Sequence, residues 1–384
     1  MTPTWADHAL RGSESGAREP EQLTRRSSGA LRRGFLVGLA MSAVGLMLTA
    51  CSSTSTSSTT TPSPSAVAAA PSPGCTSKGA EVIPNGGTLT YSANGITGTY
   101  IIDLPPETHQ PTPLVFDLHG YLEPAAFEHM GTGLSAFGDA HGFITITPQI
   151  SSSSPPAWDY GPHSQDVAWL GSLLSSLEQS TCIDERRLYS AGLSMGAFMT
   201  SSLACQLSDR IAAVAPVAGL QDYPWCKPTR PVPVVAFQGT ADPFVAYGGG
   251  PGPHAKALPA TDGSGLTVGQ ELKAGKIPAS ASPLQRSIPS QVASWAQRNG
   301  CSSPPSRTHI GTDVVRSIYP CPADASVDFY TVLGGGHTWP GGVPNVYPVA
   351  SVGRMTTTIS ANEIMWSFFQ AHPLTGPVSG PVGS

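Results

Sequence analysis

Five short apolar runs, separated by longer stretches of mixed polarity, constrain the fold of this chain more than any other sequence feature. The runs lie at 113–118, 143–147, 187–191, 211–217 and 232–237. Runs of this length are typical of strands that are buried on both faces of a parallel sheet. Residues 164–179 and 195–207 are long enough for helices. This order predicts an α/β fold, with a mostly parallel sheet and helices on both faces.

Further elements are indicated around these runs. Residues 88–104 alternate in polarity around Asn94-Gly95, which predicts an antiparallel hairpin. Helical patterns follow at 288–298 and 359–371, and two strands are predicted to flank Cys321. Residues 246–286 are rich in Gly, Pro, Ala and Ser and show neither period, so we interpret them as an insertion. The insertion is either a lid or substrate wall, or a neutral surface loop.

The first fifty residues have the pattern of an export signal. Arg32-Arg33 precede Phe35-Leu36 and an apolar stretch that ends at Thr49, which is typical of a signal peptide and resembles the twin-arginine type. The stretch closes with Leu48-Thr49-Ala50-Cys51, which resembles the bacterial lipobox. We therefore predict a signal peptide over 1–50 and lipidation of Cys51. The alternative is an ordinary secretory signal with a chance cysteine.

The segment after Cys51 has the composition of a tether. Residues 52–73 contain only Ser, Thr, Pro, Ala and one Val, which cannot bury enough apolar area to fold. We predict a tether over 51–74, a folded catalytic domain over 75–373 and a flexible tail over 374–384. The predicted location is extracellular, with the lipid holding the chain at the outer face of the cell membrane.

Six cysteines remain for the folded domain, and an even set fits an oxidising compartment. Six cysteines allow 15 pairings. Spacing and local context favour Cys301 with Cys321 and Cys205 with Cys226, which leaves Cys75 with Cys182. No CxxC pair or Cys/His cluster suggests a metal site.

Charge excludes one class of partner. Charged residues are 12 % of the chain and its net charge is −5, without a basic stripe that could neutralise phosphates. A nucleic-acid partner is therefore not expected.

The chain contains one GxSxG pattern, Gly192-Leu193-Ser194-Met195-Gly196. It follows the apolar run 187–191 and opens a helical stretch, so Ser194 lies at a strand-to-helix turn of the kind that a nucleophile elbow needs. The flanking glycines avoid side-chain clashes in such a strained turn. The pattern predicts Ser194 as a nucleophile.

A serine hydroxyl needs a base to take its proton and an acid to orient that base. Asp242 follows the apolar run 232–237 and is the predicted acid. His337 lies in a glycine-rich segment after a strand candidate and is the predicted base. The acids and histidines that we set aside are Asp222, Asp313, Asp328, His254, His309 and His372.

Two backbone N–H groups are predicted to bind the oxyanion that forms during acyl transfer. One is that of Met195, directly after the nucleophile. The other is that of Tyr121, in the loop that begins with His119-Gly120 after an early strand. His119 itself is interpreted as structural, or as part of the substrate pocket.

Together these segments resemble a family of secreted esterases that includes polyhydroxybutyrate depolymerases, feruloyl esterases and acetylxylan esterases. The resemblance covers about residues 80–372 and rests on His119-Gly120, Asp166-Val167, Gly192–Gly196, Gly239-Thr240-Ala241-Asp242 and Gly336-His337-Thr338-Trp339-Pro340-Gly341. Two features depart from the family: Ala197 stands where a glycine is common, and the insertion is longer.

The resemblance implies an α/β-hydrolase fold and a serine esterase that acts on polyester, feruloyl or acetyl esters, without metal or organic cofactor. Trp339, two residues after the base, is expected either to line the substrate pocket or to brace the loop that carries His337, the histidine loop, in the core. A serine peptidase of the same fold and an inactive surface-binding lipoprotein are the alternatives.

Overall fold

A computed structural model of the chain describes residues 67–76, 85–106, 110–150, 156–276 and 285–378. All of these residues belong to one unit by their contacts. The predicted signal peptide, Cys51 and most of the predicted tether lie outside the described residues. No helix within the described ranges is long and apolar enough to cross a membrane.

Ten strands of the described chain form one sheet. They are β1 (Gly87–Ala93), β2 (Ile96–Asp103), β3 (Thr112–Leu118), β4 (Ile144–Ile150), β5 (Ile183–Leu193), β6 (Ala213–Val217), β7 (Val234–Gly239), β8 (Ser306–Ile310), β9 (Val314–Ile318) and β10 (Val327–Val332). Their order across the sheet is β1-β2-β4-β3-β5-β6-β7-β10-β9-β8. The strands from β4 to β10 in this order are parallel, and antiparallel strands extend both edges.

Helices connect the strands. They are α1 (Ala125–Thr132), α2 (Leu134–His141), α3 (Gln165–Ser180), α4 (Met195–Gln206), α5 (Pro253–Ala257), α6 (Val268–Lys273), α7 (Ile288–Arg298), α8 (Val349–Val352) and α9 (Ala361–Ala371).

The sheet separates two apolar cores because successive strand residues point to opposite faces. On one face, Phe116 of β3 and Ala236 of β7 pack with residues of α3, α4 and α7. On the other, their neighbours Val115 and Phe237 pack with residues of α2 and α9. The predicted α/β-hydrolase fold, with helices on both faces of a mostly parallel sheet, is confirmed.

Six of the elements named above were not predicted from the sequence, namely α1, α2, α5, α6, α8 and β8. Helices α5, α6 and α8 have only four to six residues, which is too short to show a helical period, although α5 and α6 lie within the predicted insertion. Helices α1 and α2 have eight residues each and are separated by Gly133 at φ 63°, so neither is long enough to show a clear apolar period. Strand β8 is mostly exposed and therefore lacks the apolar alternation of a half-buried strand.

Two predicted boundaries are wrong. The end of the predicted tether is part of the domain, because the N–H of Ala70 donates to Asp184 Oδ1 at 2.9 Å. The predicted tail also begins too early. Leu374 is buried, and its N–H donates to the carbonyl of Arg186 at 2.8 Å. The described residues from 67 to 74 and from 374 to 376 therefore contact the catalytic domain.

The six cysteines of the domain form three disulfides. They are Cys75–Cys182, Cys205–Cys226 and Cys301–Cys321, as the sequence context favoured. The first joins residues 107 apart and ties the N-terminal segment to the beginning of β5. In the chain-entropy account, a loop of this size stabilises the fold by about 4–5 kcal/mol.

Candidate active site

Ser194 occupies the turn between β5 and α4. Its φ of 59° and ψ of −118° form a conformation that non-glycine residues rarely adopt. The turn also brings backbones close together: a Cβ at Gly196 would lie 1.8 Å from the carbonyl oxygen of Leu118. The N–H of Ser194 donates to the carbonyl of Val217 on β6 at 3.0 Å. The sequence therefore folds into the strand, sharp turn and helix that the motif predicts.

The loop after β3 packs against this turn. A Cβ at Gly120 would lie 3.4 Å from the Cβ of Ser194. In the part of the chain that the structure describes, neither Met195 nor the adjacent loop residue Tyr121 donates its N–H to a protein acceptor. Met195 is the first residue of α4, where helical N–H groups have no partner in the helix and the helix dipole favours negative charge. Two such donors beside a serine can bind an oxyanion.

Asp242 lies just beyond the end of β7, and its carboxylate accepts four hydrogen bonds. Its Oδ1 accepts the N–H groups of Phe244 and Val245 at 2.8 and 2.9 Å. Its Oδ2 accepts from Gln238 Nε2 and from His337 Nδ1, both at 2.8 Å. The hydrogen bonds to both oxygens therefore fix the orientation of this carboxylate.

His337 is held beside Asp242 by a close backbone approach. A Cβ at Gly239 would lie 2.3 Å from the carbonyl oxygens of Gly335 and Gly336, so the histidine loop can cross β7 only at a glycine. The N–H of His337 donates to the carbonyl of Val352 at 2.6 Å. An ionised carboxylate only accepts hydrogen bonds, so Nδ1 carries the proton and Nε2 is left as an acceptor.

Asp242 and His337 are joined directly, whereas Ser194 and His337 are not. No hydrogen bond between Ser194 Oγ and His337 Nε2 is present in the described structure, a gap that substrate binding commonly closes in enzymes of this kind. Ser194 and Asp242 follow β5 and β7, whose carboxyl ends lie at the same edge of the sheet. Such an arrangement can activate a serine and accept and return its proton.

For Trp339 and His119, the structure favours one of the two interpretations that the sequence left open. Trp339 is 2 % exposed and packs in the core on the α9 face, and its Nε1 donates to Asn362 Oδ1 at 2.8 Å. His119 is fully buried against the Trp158 ring, 4.6 Å between centroids, and burial lowers its pKa to about 4. Both side chains are buried, which favours a bracing role for Trp339 in the histidine loop and a structural role for His119 in the loop after β3.

The aspartates that the sequence set aside are engaged elsewhere. Asp222 pairs with Arg286 and Arg298. Asp313 and Asp328 pair with arginines as well, Arg354 and Arg316. Each carboxylate therefore has a structural partner outside the site.

A group of buried carboxyls beside the serine was missed. Glu123 Oε2 accepts the N–H of Gly120 at 2.8 Å, and Glu128 Oε1 accepts the N–H of Leu193 at 3.1 Å. The only sequence signal was a glutamate three residues after His119-Gly120, which by itself is typical of an exposed loop. These contacts place two carboxyls directly behind the loop and the turn that flank Ser194.

The predicted insertion borders the site. The hydroxyl of Tyr121 donates to the carbonyl of Pro259 at 3.1 Å, between α5 and α6. The ring of Phe244 lies 4.9 Å from the His337 ring and 5.4 Å from that of His254, on α5. Of the two interpretations left open, these contacts favour a substrate wall.

Known proteins that are similar to this chain in sequence include esterases. Feruloyl esterase B of Piromyces equi is 28% identical over 236 residues, which are 59% of this chain and 39% of that protein. A Nocardia uniformis subsp. tsuyamanensis protein named as an esterase, NocK, is 28% identical over 76% of this chain and 82% of its own. Poly(3-hydroxyalkanoate) depolymerase C of Paucimonas lemoignei is 35% identical over 28% of each chain. The chain is related to these esterases.

The extent of these matches differs between the relatives. The chain spans well under half of the Piromyces esterase and of the depolymerase, but most of the Nocardia protein. No family model matches the sequence. Within the described residues, no group of three or more His, Cys, Asp or Glu could hold a metal ion.

Proposed function

We propose that this chain is a serine esterase that hydrolyses carboxylic esters through an acyl-enzyme. The observation that carries the proposal is the 2.8 Å hydrogen bond from His337 Nδ1 to Asp242 Oδ2, at the sheet edge where Ser194 occupies a strained turn. Relatives named as esterases support it. The steps below use neither a metal nor an organic cofactor.

Acylation begins with attack of Ser194 Oγ on the ester carbonyl carbon while His337 Nε2 takes the hydroxyl proton. The N–H groups of Met195 and Tyr121 bind the negative oxygen of the tetrahedral intermediate. Asp242 holds the tautomer of His337 and stabilises the imidazolium. The carbon–oxygen bond to the alcohol then breaks, and His337 gives its proton to the leaving alkoxide.

Deacylation repeats these steps with water. His337 takes a proton from water as the water oxygen attacks the acyl carbon, and the same two N–H groups bind the oxyanion. When this intermediate collapses, Ser194 Oγ leaves with the proton from His337, and the free acid is released. The enzyme returns to its starting state.

The proposed substrates are short acyl and hydroxycinnamoyl esters and polyesters of the hydroxyalkanoate type. Relatives named as feruloyl esterase and poly(3-hydroxyalkanoate) depolymerase support this range. Incubating the purified chain with feruloyl, acetyl and polyhydroxybutyrate esters tests it. Hydrolysis of these esters, with none of phosphate esters and little of peptides, is expected, whereas peptide cleavage without ester hydrolysis would favour the peptidase alternative.

Because Trp339 lies in the core, Trp339→Ala is expected to act on stability rather than on substrate choice. Removing a buried tryptophan costs about 3–5 kcal/mol, so the melting temperature should fall by several degrees. Steady-state kinetics on an aromatic ester and an acetyl ester should change equally. Trp339→Phe, which keeps most of the ring volume, is the control. A KM that rises for the aromatic ester alone, with a small change in melting temperature, would return Trp339 to the pocket.

We also propose that the chain is exported and anchored by lipid at Cys51. The lipobox-like Leu48-Thr49-Ala50-Cys51 supports the anchor, and the three disulfides fit export. Cys51→Ala is expected to release the protein from membranes or to block its processing, whereas the neighbouring control Ser52→Ala should not. Mass spectrometry that finds an unmodified mature terminus at another residue would contradict the anchor.

A further inference from the structure

Glu123 connects two loops of the proposed site. Its Oε2 accepts the N–H of Gly120 at 2.8 Å, one residue before Tyr121, whose N–H is a proposed oxyanion donor. Its Oε1 accepts the hydroxyl of Tyr347, which lies between the histidine loop and α8. Both oxygens of Glu123 therefore accept hydrogen bonds, as the oxygens of an ionised carboxylate do.

Glu128 makes the matching contact on the other side of the oxyanion. This side chain on α1 is fully buried, and its Oε1 accepts the N–H of Leu193 at 3.1 Å, one residue before Ser194. Its Oε2 is buried and receives no donor within the described residues. An ionised carboxylate with one oxygen left in that state would be costly.

The charge of Glu123 acts on Glu128 and raises its pKa. A hydrogen bond between the two carboxyls would need one proton, and the buried, unpartnered Glu128 Oε2 is the position for it because both oxygens of Glu123 already accept. Burial raises the pKa of both carboxyls, and the Glu123 and Asp117 charges raise that of Glu128 further. These shifts favour the proton on Glu128.

Other titratable groups face this pair from the elements around it. They are Asp117 on β3, Tyr347, and His337 on the histidine loop, with His129 on α1 and Asp103 on β2 beyond Asp117. Burial also raises the pKa of Asp117 to about 7, so its charge increases near neutral pH and adds to the field that holds the proton on Glu128. Among these groups, His337 is the one that becomes a cation during the proposed catalytic cycle.

We propose that Glu128, through a proton that it shares with Glu123, is a positioning residue for both N–H donors of the oxyanion hole. The proposal rests on the proposed esterase function. Glu123 holds the peptide next to that of the Tyr121 N–H. Glu128 holds the N–H of Leu193 at the start of the turn that presents the Met195 N–H. The shared proton fixes the two glutamates to each other. Loss of this proton would break the link and place a second negative charge behind the developing oxyanion. Both effects raise the energy of the transition state more than that of bound substrate.

The expected result is an alkaline limb in kcat that belongs to Glu128. In the wild type, kcat should fall about tenfold per pH unit above the pKa of the pair, while KM changes little. Glu128→Ala removes the acceptor for Leu193 and should lower kcat at neutral pH by about tenfold or more. Glu128→Gln can accept from Leu193 and donate to Glu123 without losing a proton. It should therefore recover most of that loss and have no limb from this pair.

Glu178→Gln is the matched control. Glu178 is also buried and pairs with Arg210, but it lies on α3 away from the loops around Ser194. Its substitution should lower the melting temperature and leave the alkaline limb of kcat in place. An alkaline limb in Glu128→Gln identical to that of the wild type would overturn the proposal.

Infrared spectroscopy tests the proton without the activity. Wild-type minus Glu128→Gln difference spectra at neutral pH should contain the C=O stretching band of a protonated carboxyl, and its absence would overturn the proposal. If the wild type hydrolysed no ester, the proposed function would fail, and the band would still decide whether the two glutamates share a proton.

Discussion

Ser194→Ala is expected to abolish covalent labelling by an organophosphonate and to lower kcat for ester hydrolysis by about 10⁶-fold. Only an activated serine reacts with such a reagent at a useful rate. Alanine keeps the Cβ and can occupy the same strained turn, so the fold should remain. Mass spectrometry of the labelled protein and steady-state kinetics measure the two effects.

Ser202→Ala is a suitable control because Ser202 is a buried serine on α4 whose hydroxyl oxygen accepts from Gln206 Nε2 at 2.8 Å. It should be labelled as fast as the wild type. Circular dichroism and the melting temperature show whether Ser194→Ala is folded. Labelling of folded Ser194→Ala at the wild-type rate would require another nucleophile.

Local sequence patterns predicted the parts of the site that depend on neighbouring residues. The strained turn at Ser194 was predicted from the glycines beside it and from the apolar run before it, because such a turn after a buried strand needs both. Asp242 and His337 were predicted to lie together because each follows a strand of a parallel sheet, whose carboxyl ends share one edge. The buried strands were predicted because each is an apolar run in the sequence, whereas the mostly exposed β8 is not such a run and was not predicted.

The remaining parts depend on contacts between distant segments. Glu128 meets Leu193 across 65 residues, and Glu123 meets Tyr347 across 224, and no local pattern encodes either contact. For Trp339, the sequence left a pocket position and a core position open. The histidine loop turns this side chain into the core on the α9 face, where Asn362 satisfies its N–H, a contact that the local sequence does not show.

Asp242→Asn is expected to lower kcat by about 10⁴-fold with a much smaller change in KM. The N–H groups of Phe244 and Val245 require an oxygen on their side of residue 242, so the amide nitrogen of the new side chain would face His337. That nitrogen donates, and His337 Nδ1 would have to accept. The imidazole proton would then lie on Nε2, which could no longer take the proton of Ser194.

Gln238 acts against this orientation, because its Nε2 donates to Asp242 Oδ2 at 2.8 Å and to the carbonyl of Val245 at 3.0 Å. The expectation therefore depends on the two backbone N–H groups that face Oδ1, which outnumber the single donor of Gln238 at Oδ2. Asp328→Asn is the control, since Asp328 pairs with Arg316 outside the site and its change should leave kcat nearly unaltered. If Asp242→Asn stayed within about tenfold of the wild type in kcat, another acid would have to orient His337. Phosphonate labelling of the two folded variants then separates a wrong histidine tautomer from a lost nucleophile. Asp242→Asn keeps Ser194 and should still be labelled slowly, whereas Ser194→Ala should not be labelled.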